Sequence, residues 1–378
     1  MSDFEDADMP WNEVLVMTLR QEFTALASKP DSNVSALCRR FGISRKTGYK
    51  WLHRATDNDS MDDRSKRPKS SPAQTAHNIE ALILDARLMH PEWGGRKLKR
   101  HLENLGHRNL PAASTITEIL RRNDLLKLSS AESKPNWQRF EHEKPNDLWQ
   151  IDFKGPLSIR QEQCHALTVL DDHSRFSLGV KITKRQSYEE TRFHLSDIFR
   201  RYGLPDAMTM DNGTPWGNPY GRWTRFTLWL LDLDIAVSHS RPRHPQTQGK
   251  DERFHRTLKD ELLNRNEFSD LAHLQRKCDE WRIQYNQLRP HCALNLDVPA
   301  AHYEISRREF KEQVPEYEYS SEHAVRIVNP NGRVKFKGKA YTVGEVFGQL
   351  KVGIRPTIED GVYAVFYRHK QVGNIQLE

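Results

Sequence analysis

The chain has 378 residues, with 58 Lys and Arg against 51 Asp and Glu, and four cysteines. That length suits two or three domains. No window reaches the roughly 18 apolar residues of a membrane span, and the acidic stretch Met1–Asp6 has no basic-then-apolar secretory pattern. Cys38, Cys164, Cys278 and Cys292 lie far apart with no Cys-x-x-Cys step, which argues against a disulfide framework or a cysteine zinc site and fits a reducing compartment. Positive charge is clustered: residues 64–127 hold 13 basic and 6 acidic side chains, and Ser32–Ala55 holds six basic and no acidic ones. Such clusters are the footprint of a phosphate-backbone partner; solvated helix faces are the plainer alternative.

In chain order, Trp11–Ser28 has helical periodicity, with Leu15, Leu19, Phe23 and Leu26 on one face. Residues 33–52 read as helix, turn, helix: Gly42 suits the left-handed end of the first helix, and Ser44 caps the next. Val34, Leu37, Cys38, Ile43, Trp51 and Leu52 make the expected core, leaving Arg45, Lys46, Tyr49 and Lys50 on an outer face fit for a major groove. A polar linker, 57–71, precedes a second helical segment, 72–128. Helices are expected there over Thr75–Met89, Gly95–Leu105 and Ser114–Asn123, with a basic cluster at Arg96, Lys97, Lys99 and Arg100. Both segments resemble the N-terminal helix-turn-helix units of bacterial transposases, which implies DNA contacts by Arg96 and Lys97 as well; an ordinary helical hairpin is the competing reading.

After a second linker, 129–144, the pattern changes. Leu148–Phe153, Ala166–Leu170, Phe176–Ile182, Ala207–Asp211 and Ile235–Ser238 read as strands, Tyr188–Tyr202 and Gly249–Asn264 as helices. That order predicts a mixed sheet flanked by helices. Asp152 falls in an otherwise apolar or aromatic strand, where an acid is costly unless paired or metal-bound. Asp211 ends a strand before Asn212-Gly213, and Glu252 lies near the start of a helix. Singly, each has an ordinary reading: a paired strand acid, a turn former, a solvated helix acid.

Together they resemble the Asp-Asp-Glu triad of insertion-sequence transposases with a retroviral-integrase-like core. The resemblance rests on Trp149-x-x-Asp152-Phe153, on Asp211-Asn212-Gly213, and on Pro245-Gln246-x-x-Gly249-x-x-Glu252-Arg253 followed by Leu258-Lys259. Tyr285–Leu294 and Pro299 add to it. It covers about 147–303 and implies an RNase H-like core with a mixed five-stranded sheet over 145–305. One departure is the 40 residues between Asp211 and Glu252, where the family more often has 35; an insertion over 213–225 accounts for it.

The resemblance further implies that Asp152, Asp211 and Glu252 hold two Mg²⁺ ions, with Mn²⁺ able to substitute, and that no zinc is used. Two such ions serve an in-line displacement at phosphorus, and magnesium favours carboxylate oxygens. It also implies DNA contacts by Lys259 and Gln248, with Arg256 and His255 as phosphate contacts; surface solvation remains open for these. From His323 short alternating strands, with an Asn331-Gly332 hairpin signal, predict a small β-barrel over 320–378. Lys335, Lys337, Lys339, Arg355 and Arg368 there are either DNA contacts or solubilising charges.

The whole reads as a multidomain chain: all-α helix-turn-helix units (1–56 and 72–128), an α/β core and a C-terminal barrel. The expected function is a transposase that binds the terminal inverted repeats of a mobile element, cleaves DNA and transfers the 3′-hydroxyl end into target DNA. Double-stranded DNA and further copies of the chain are its expected partners, in the bacterial cytoplasm at the nucleoid and not at a membrane. A catalytically inactive, site-occupying relative is the alternative, and a ribonuclease acting on hybrids is disfavoured by the tandem DNA-binding segments.

Overall fold

Asn33 and Ser44 both act as helix caps, and they set the geometry of the first basic segment. In the computed structural model, which describes residues 13–64, 74–126, 141–217, 223–239 and 245–377, the Asn33 side chain accepts from Ala36 N, and Ser44 Oγ from Thr47 N at 3.1 Å. Helices α1 (Glu13–Ala27), α2 (Val34–Arg40) and α3 (Arg45–Thr56) follow, with Gly42 left-handed at φ 62° between the last two. Phe23, Ala27 and Cys38 form the centre of the small core, with Val34, Leu37, Ile43 and Leu52 packed on it. Gly48 is required by α2: a Cβ there would sit 2.5 Å from Cys38 Sγ. Trp51 is buried beneath three cations, Arg20, Lys50 and Arg54, each within 5 Å of its ring. Arg20 and Arg54 also donate to the carbonyls of Met61 and Asp62, so part of the expected 57–71 linker folds back on this unit. Residues 1–74 form one compact unit and 75–378 a second.

The second unit begins with α4 (His77–Met89), α5 (Gly95–Asn104) and α6 (Ala113–Arg122). Ile83, Trp93, Leu98, Leu102, Ile116, Ile119 and Leu120 bury one face of each helix in a shared core. Gly95 allows the crossing of α5 and α6, since a Cβ would stand 2.5 Å from the Ala113 carbonyl oxygen.

The sheet has five strands in the order β3-β2-β1-β4-β5: β1 (Leu148–Ile159), β2 (Glu162–Asp171), β3 (Ser177–Thr183), β4 (Ala207–Met210) and β5 (Ala236–His239). β1, β2 and β3 pair antiparallel, whereas β1, β4 and β5 run parallel. The mixed five-stranded sheet expected from the sequence is thus present, in an RNase H-like order. Alternation along β1 divides its faces. Trp149 and Ile151 join the core under α7 (Tyr188–Tyr202) and α8 (Arg225–Asp232). On the other face, Ala166, Leu170 and Val180 of β2 and β3 meet Phe254 and Leu258 of α9 (Pro245–Leu258), and Leu274, Cys278 and Trp281 of α10 (Leu271–Gln287). Helix α9 runs into a π-turn over Lys259–Leu263; such turns are rare and often functional. The helices α8 and α10 were not read from the sequence.

Near the C-terminus, β6 (Ala324–Ile327), β9 (Lys351–Pro356), β10 (Val362–Tyr367) and β11 (Lys370–Gln376) make a four-stranded antiparallel sheet in the order β11-β10-β9-β6. Strands β7 (Arg333–Phe336) and β8 (Lys339–Thr342) form a separate hairpin. Five of these strands were expected, but in a barrel; β11 was not read from the sequence, and here the sheets are open. Leu228 and Leu231 of α8 join their apolar core, so a helix of the central α/β domain covers a face that a barrel would close upon itself. Arg368 is tied to Asp232 at 2.8 Å, which assigns it to this junction. No helix among the described residues is long and apolar enough to cross a membrane.

Candidate active site

Strands β1 and β4 pair in parallel with Gln150 opposite Thr209. Asp152 and Asp211 each lie two residues further on, so the two acids sit level, Asp152 within β1 just past its pairing with β4 and Asp211 just past the end of β4, on the side of the parallel strands where ligands commonly bind. Burial pushes the Asp152 carboxyl up to about 6, and the nearby Asp211 charge adds to the shift. Two carboxylates facing each other with one driven toward neutrality form a set that a cation would relieve.

Each acid is held by its surroundings. The Phe153 N–H donates to Asp152 Oδ1 at 2.7 Å. Asp211 Oδ1 accepts from Gly213 N at 2.9 Å and from the indole N–H of Trp216. Trp216 is fully buried and stacks on Phe153 with ring centres 5.0 Å apart, so the short loop after β4 is anchored by an aromatic residue that also fixes the carboxylate. Any Cβ at position 213 would stand 3.1 Å from Asp211 Oδ2, the physical reason for glycine there. The His239 ring nitrogen Nδ1 lies 2.9 Å from the Asp211 carbonyl oxygen.

Helix α9 presents two different faces. Asp251, Phe254, His255 and Leu258 are buried, while Glu252, Arg253, Arg256 and Lys259 are exposed. Glu252, Arg256 and Lys259 follow at steps of four and three, forming one outward stripe. His255 departs from its expected role as a phosphate contact. It is buried, with Nε2 2.8 Å from Thr168 Oγ1 and Nδ1 3.7 Å from Asp152 Oδ2. Thr168 Oγ1 also lies 3.1 Å from the Asp152 carbonyl oxygen, so the hydroxyl links the His255 ring to the backbone of Asp152. Burial, then Lys154, pushes the imidazole down to about 4. Burial also drives Asp251 well above the usual carboxylate range, with Asp152 and Asp172 contributing.

The structure brings Asp152 and Asp211 together and places Glu252 on the exposed face of α9. Among the described residues, no three His, Cys, Asp or Glu side chains converge closely enough to hold a metal ion. The Gln248 side chain lies outside the described residues. Arg45, Lys46, Tyr49 and Lys50 all face outward from α3 as expected.

Lys97 does not. It is half-buried, and partial burial, then Arg289, lowers its ammonium to about 8; Arg96 beside it is exposed. The rest of the basic cluster is also engaged: Lys99 with Glu103, and Arg100 with Asp297 at 3.1 Å. Glu261, in the π-turn, accepts from the indoles of Trp93 and Trp281 and from Arg289 at 2.8 Å. Helix α5 thus leaves Arg96 exposed and holds Lys97, Lys99 and Arg100 half-exposed, the last two in ion pairs. Sequence reasoning missed Trp216, Thr168 and the Lys250–Asp172 pair. For Trp216, a large aromatic five residues after a strand-end acid was the available signal.

Comparison with known proteins agrees with this geometry. Residues 142–245 and 233–299 match integrase core domain families, 323–378 match the IS481 family transposase C-terminal domain, and 47–120 match a homeodomain-like domain. An uncharacterized 39.2 kDa protein of insertion element IS476 from Xanthomonas euvesicatoria is 30% identical over 158 residues, 41% of this chain and 44% of that protein. A 31.7 kDa protein of insertion element IS407 from Burkholderia multivorans is 28% identical over 156 residues, 41% of this chain and 54% of that one. The chain spans about half the length of these relatives. Among solved structures, a simian T-cell lymphotropic virus intasome chain shares 17% identity at TM-score 0.38, covering 76% of this chain and 98% of that one. The HTLV-2 integrase catalytic core shares 17% at TM-score 0.34, covering 43% and 99%.

The mixed sheet and the integrase core matches give residues 142–299 an integrase-type core. The C-terminal segment is similar to that of IS481 family transposases, and the curated relatives that the chain matches include insertion-element proteins.

Proposed function

We propose that this protein cleaves DNA at the ends of a mobile element and joins the resulting 3′-hydroxyl to target DNA, using Asp152, Asp211 and Glu252 with two divalent cations, Mg²⁺ or Mn²⁺. The observation that carries the reading is the Asp152–Asp211 pair, level on adjacent parallel strands, with Asp152 pushed up to about 6 by burial and its neighbour. Hard carboxylate oxygens suit magnesium, and the exposed Glu252 is the third ligand in this reading. Bound divalent ions supply charge stabilisation for in-line displacement at phosphorus.

The chain's own residues do the rest. Trp216 and Gly213 hold the Asp211 carboxylate by N–H donation, and Phe153 N holds that of Asp152. Arg256 and Lys259 share the outward stripe with Glu252, where they would meet the phosphates of a bound element end. In the first step, water displaces the strand at the scissile phosphorus and leaves a free 3′-hydroxyl. In the second, that hydroxyl attacks a target phosphodiester and displaces its 3′-oxygen. Helix α3, through Arg45, Lys46, Tyr49 and Lys50, would read the terminal inverted repeat, and joining two ends calls for more than one copy of the chain.

The test uses purified full-length protein, an end-sequence duplex and a target plasmid, with Mg²⁺ or with chelator. Wild type should nick and transfer only with metal. Asp152→Asn, Asp211→Asn and Glu252→Gln should each bind the duplex normally and lose both steps. Full strand transfer by Asp152→Asn would overturn the assignment.

A further inference from the structure

Helix α9 carries the proposed third ligand, yet its first nine residues contain no large apolar side chain: Pro245, Gln246, Thr247, Gln248, Gly249, Lys250, Asp251, Glu252 and Arg253. The apolar anchors begin at Phe254 and continue with Leu258, which pack on Leu170, Cys278 and Trp281. Burial of that half holds the helix to the sheet, but it leaves the rotation and tilt of the stretch bearing Glu252 to polar contacts. Gly249, inside that stretch, weakens it further.

One polar contact there is built into the interior. Lys250 Nζ lies 2.5 Å from Asp172 Oδ1 and 3.3 Å from the Asp172 carbonyl oxygen. Asp172 is itself fixed from two other directions: its Oδ1 accepts from Gln150 Nε2 at 2.7 Å and its Oδ2 from His142 N at 3.0 Å. Asp172 and Gln150 are both only 2% exposed. Gln150 precedes Asp152 by two residues on β1, so both project from one face of the strand. The chain of contacts therefore runs from Asp152's own strand, through Gln150 and Asp172, to Lys250 two residues before Glu252. A buried pair of this kind adds little net stability but specifies one geometry, because any other leaves a charge buried and unpaired.

We propose that Lys250 is a positioning residue: its ion pair with Asp172 sets the start of α9 so that Glu252 is presented to the Asp152–Asp211 pair. This rests on the metal role proposed above, and the test is arranged so that the two can fail separately.

Wild type, Asp152→Asn, Lys250→Met, Lys250→Arg and the double variant Lys250→Met/Asp172→Leu would be compared as full-length chains. The readouts are Mn²⁺ binding by electron paramagnetic resonance and amide hydrogen exchange at 249–253 relative to 254–262. Lys250→Met should raise the Mn²⁺ dissociation constant by about tenfold or more and speed exchange at 249–253 by a similar factor, with 254–262 little changed. Lys250→Arg should recover most of both. The double variant, which buries no lone charge, should regain stability without regaining Mn²⁺ affinity or slow exchange, whereas a merely structural role would restore all three together. Wild-type affinity and wild-type exchange at 249–253 in folded Lys250→Met would overturn the proposal. If wild type binds Mn²⁺ no better than Asp152→Asn, the metal reading fails, and the exchange pattern alone decides whether Lys250 positions the helix.

Discussion

Replacing Asp152 by asparagine should make the metal-free protein more stable while abolishing its response to metal. Burial and the neighbouring Asp211 hold the Asp152 carboxyl near 6, against an ordinary 3.8. At about 1.4 kcal/mol per unit, a shift of roughly two units amounts to about 3 kcal/mol against the folded state once the acid is ionised. The folded pKa is the raised one, so the unfavourable term is absent below about pH 4, grows as the pH rises through 6, and is complete at pH 8. The side chain is 28% exposed, so water screens part of it, and an expected gain of about 1–2 kcal/mol at pH 8 follows. At pH 5 the gain should be about half as large. Asparagine keeps an oxygen to accept from Phe153 N, so no new unpaired amide is created. Urea unfolding in chelator at pH 8 and pH 5 measures this directly. Added Mn²⁺ should then stabilise wild type by about 2.7 kcal/mol at a hundredfold excess over its dissociation constant and leave the variant unmoved. A variant less stable than wild type in chelator at pH 8 would refute the reasoning and make Asp152 an ordinary structural acid.

Gly213→Ala should lower the cleavage rate about tenfold or more with DNA affinity unchanged, because the added methyl crowds Asp211 Oδ2 at 3.1 Å; single-turnover cleavage at saturating DNA checks it. Arg45→Ala should weaken end binding and reduce the salt slope of the binding constant by about one. Lys97→Ala, whose ammonium is half-buried near Arg289, should leave that slope as it was, and gel-shift titrations over a salt series separate the two. Glu261→Ala strands Arg289 in a partly buried site; unfolding in urea should show a loss of about 3 kcal/mol, with faster amide exchange in α5, whose Trp93-side neighbours lose the same acceptor.

Where local signals agree with tertiary context, sequence reading located elements well. The cap at Ser44, the left-handed Gly42 and the strand ending at Asp211 all depend on interactions within a few residues. Helix α10 carries an apolar stripe, Leu274, Cys278, Trp281 and Tyr285, that went unread. Helix α8 escaped because it buries residues on two sides, in the core of the sheet and in that of the C-terminal strands, which blurs the single apolar stripe that marks a helix. The barrel expectation failed for a similar reason. Six short strands specify pairing partners only weakly, and Leu228 and Leu231 of α8 supply the cover that closure would otherwise provide.

Charge clusters show the same division. A run of basic residues marks a helix as polar, but not the direction each side chain faces. Arg45, Lys46 and Lys50 point outward from a small helical unit, while Lys97 is half-buried near Arg289 and His255 is buried beside Asp152. What the sequence by itself determined is the order of elements, the caps and the identity of the acids, because those rest on covalent spacing and local hydrogen bonds. Only the tertiary structure decided that Asp152 and Asp211 stand level, that Trp216 holds one of them, and that Lys250 reaches Asp172. These contacts join residues from 5 to 78 positions apart, and the longer ones exist only once the sheet has paired in register and α9 has packed across it.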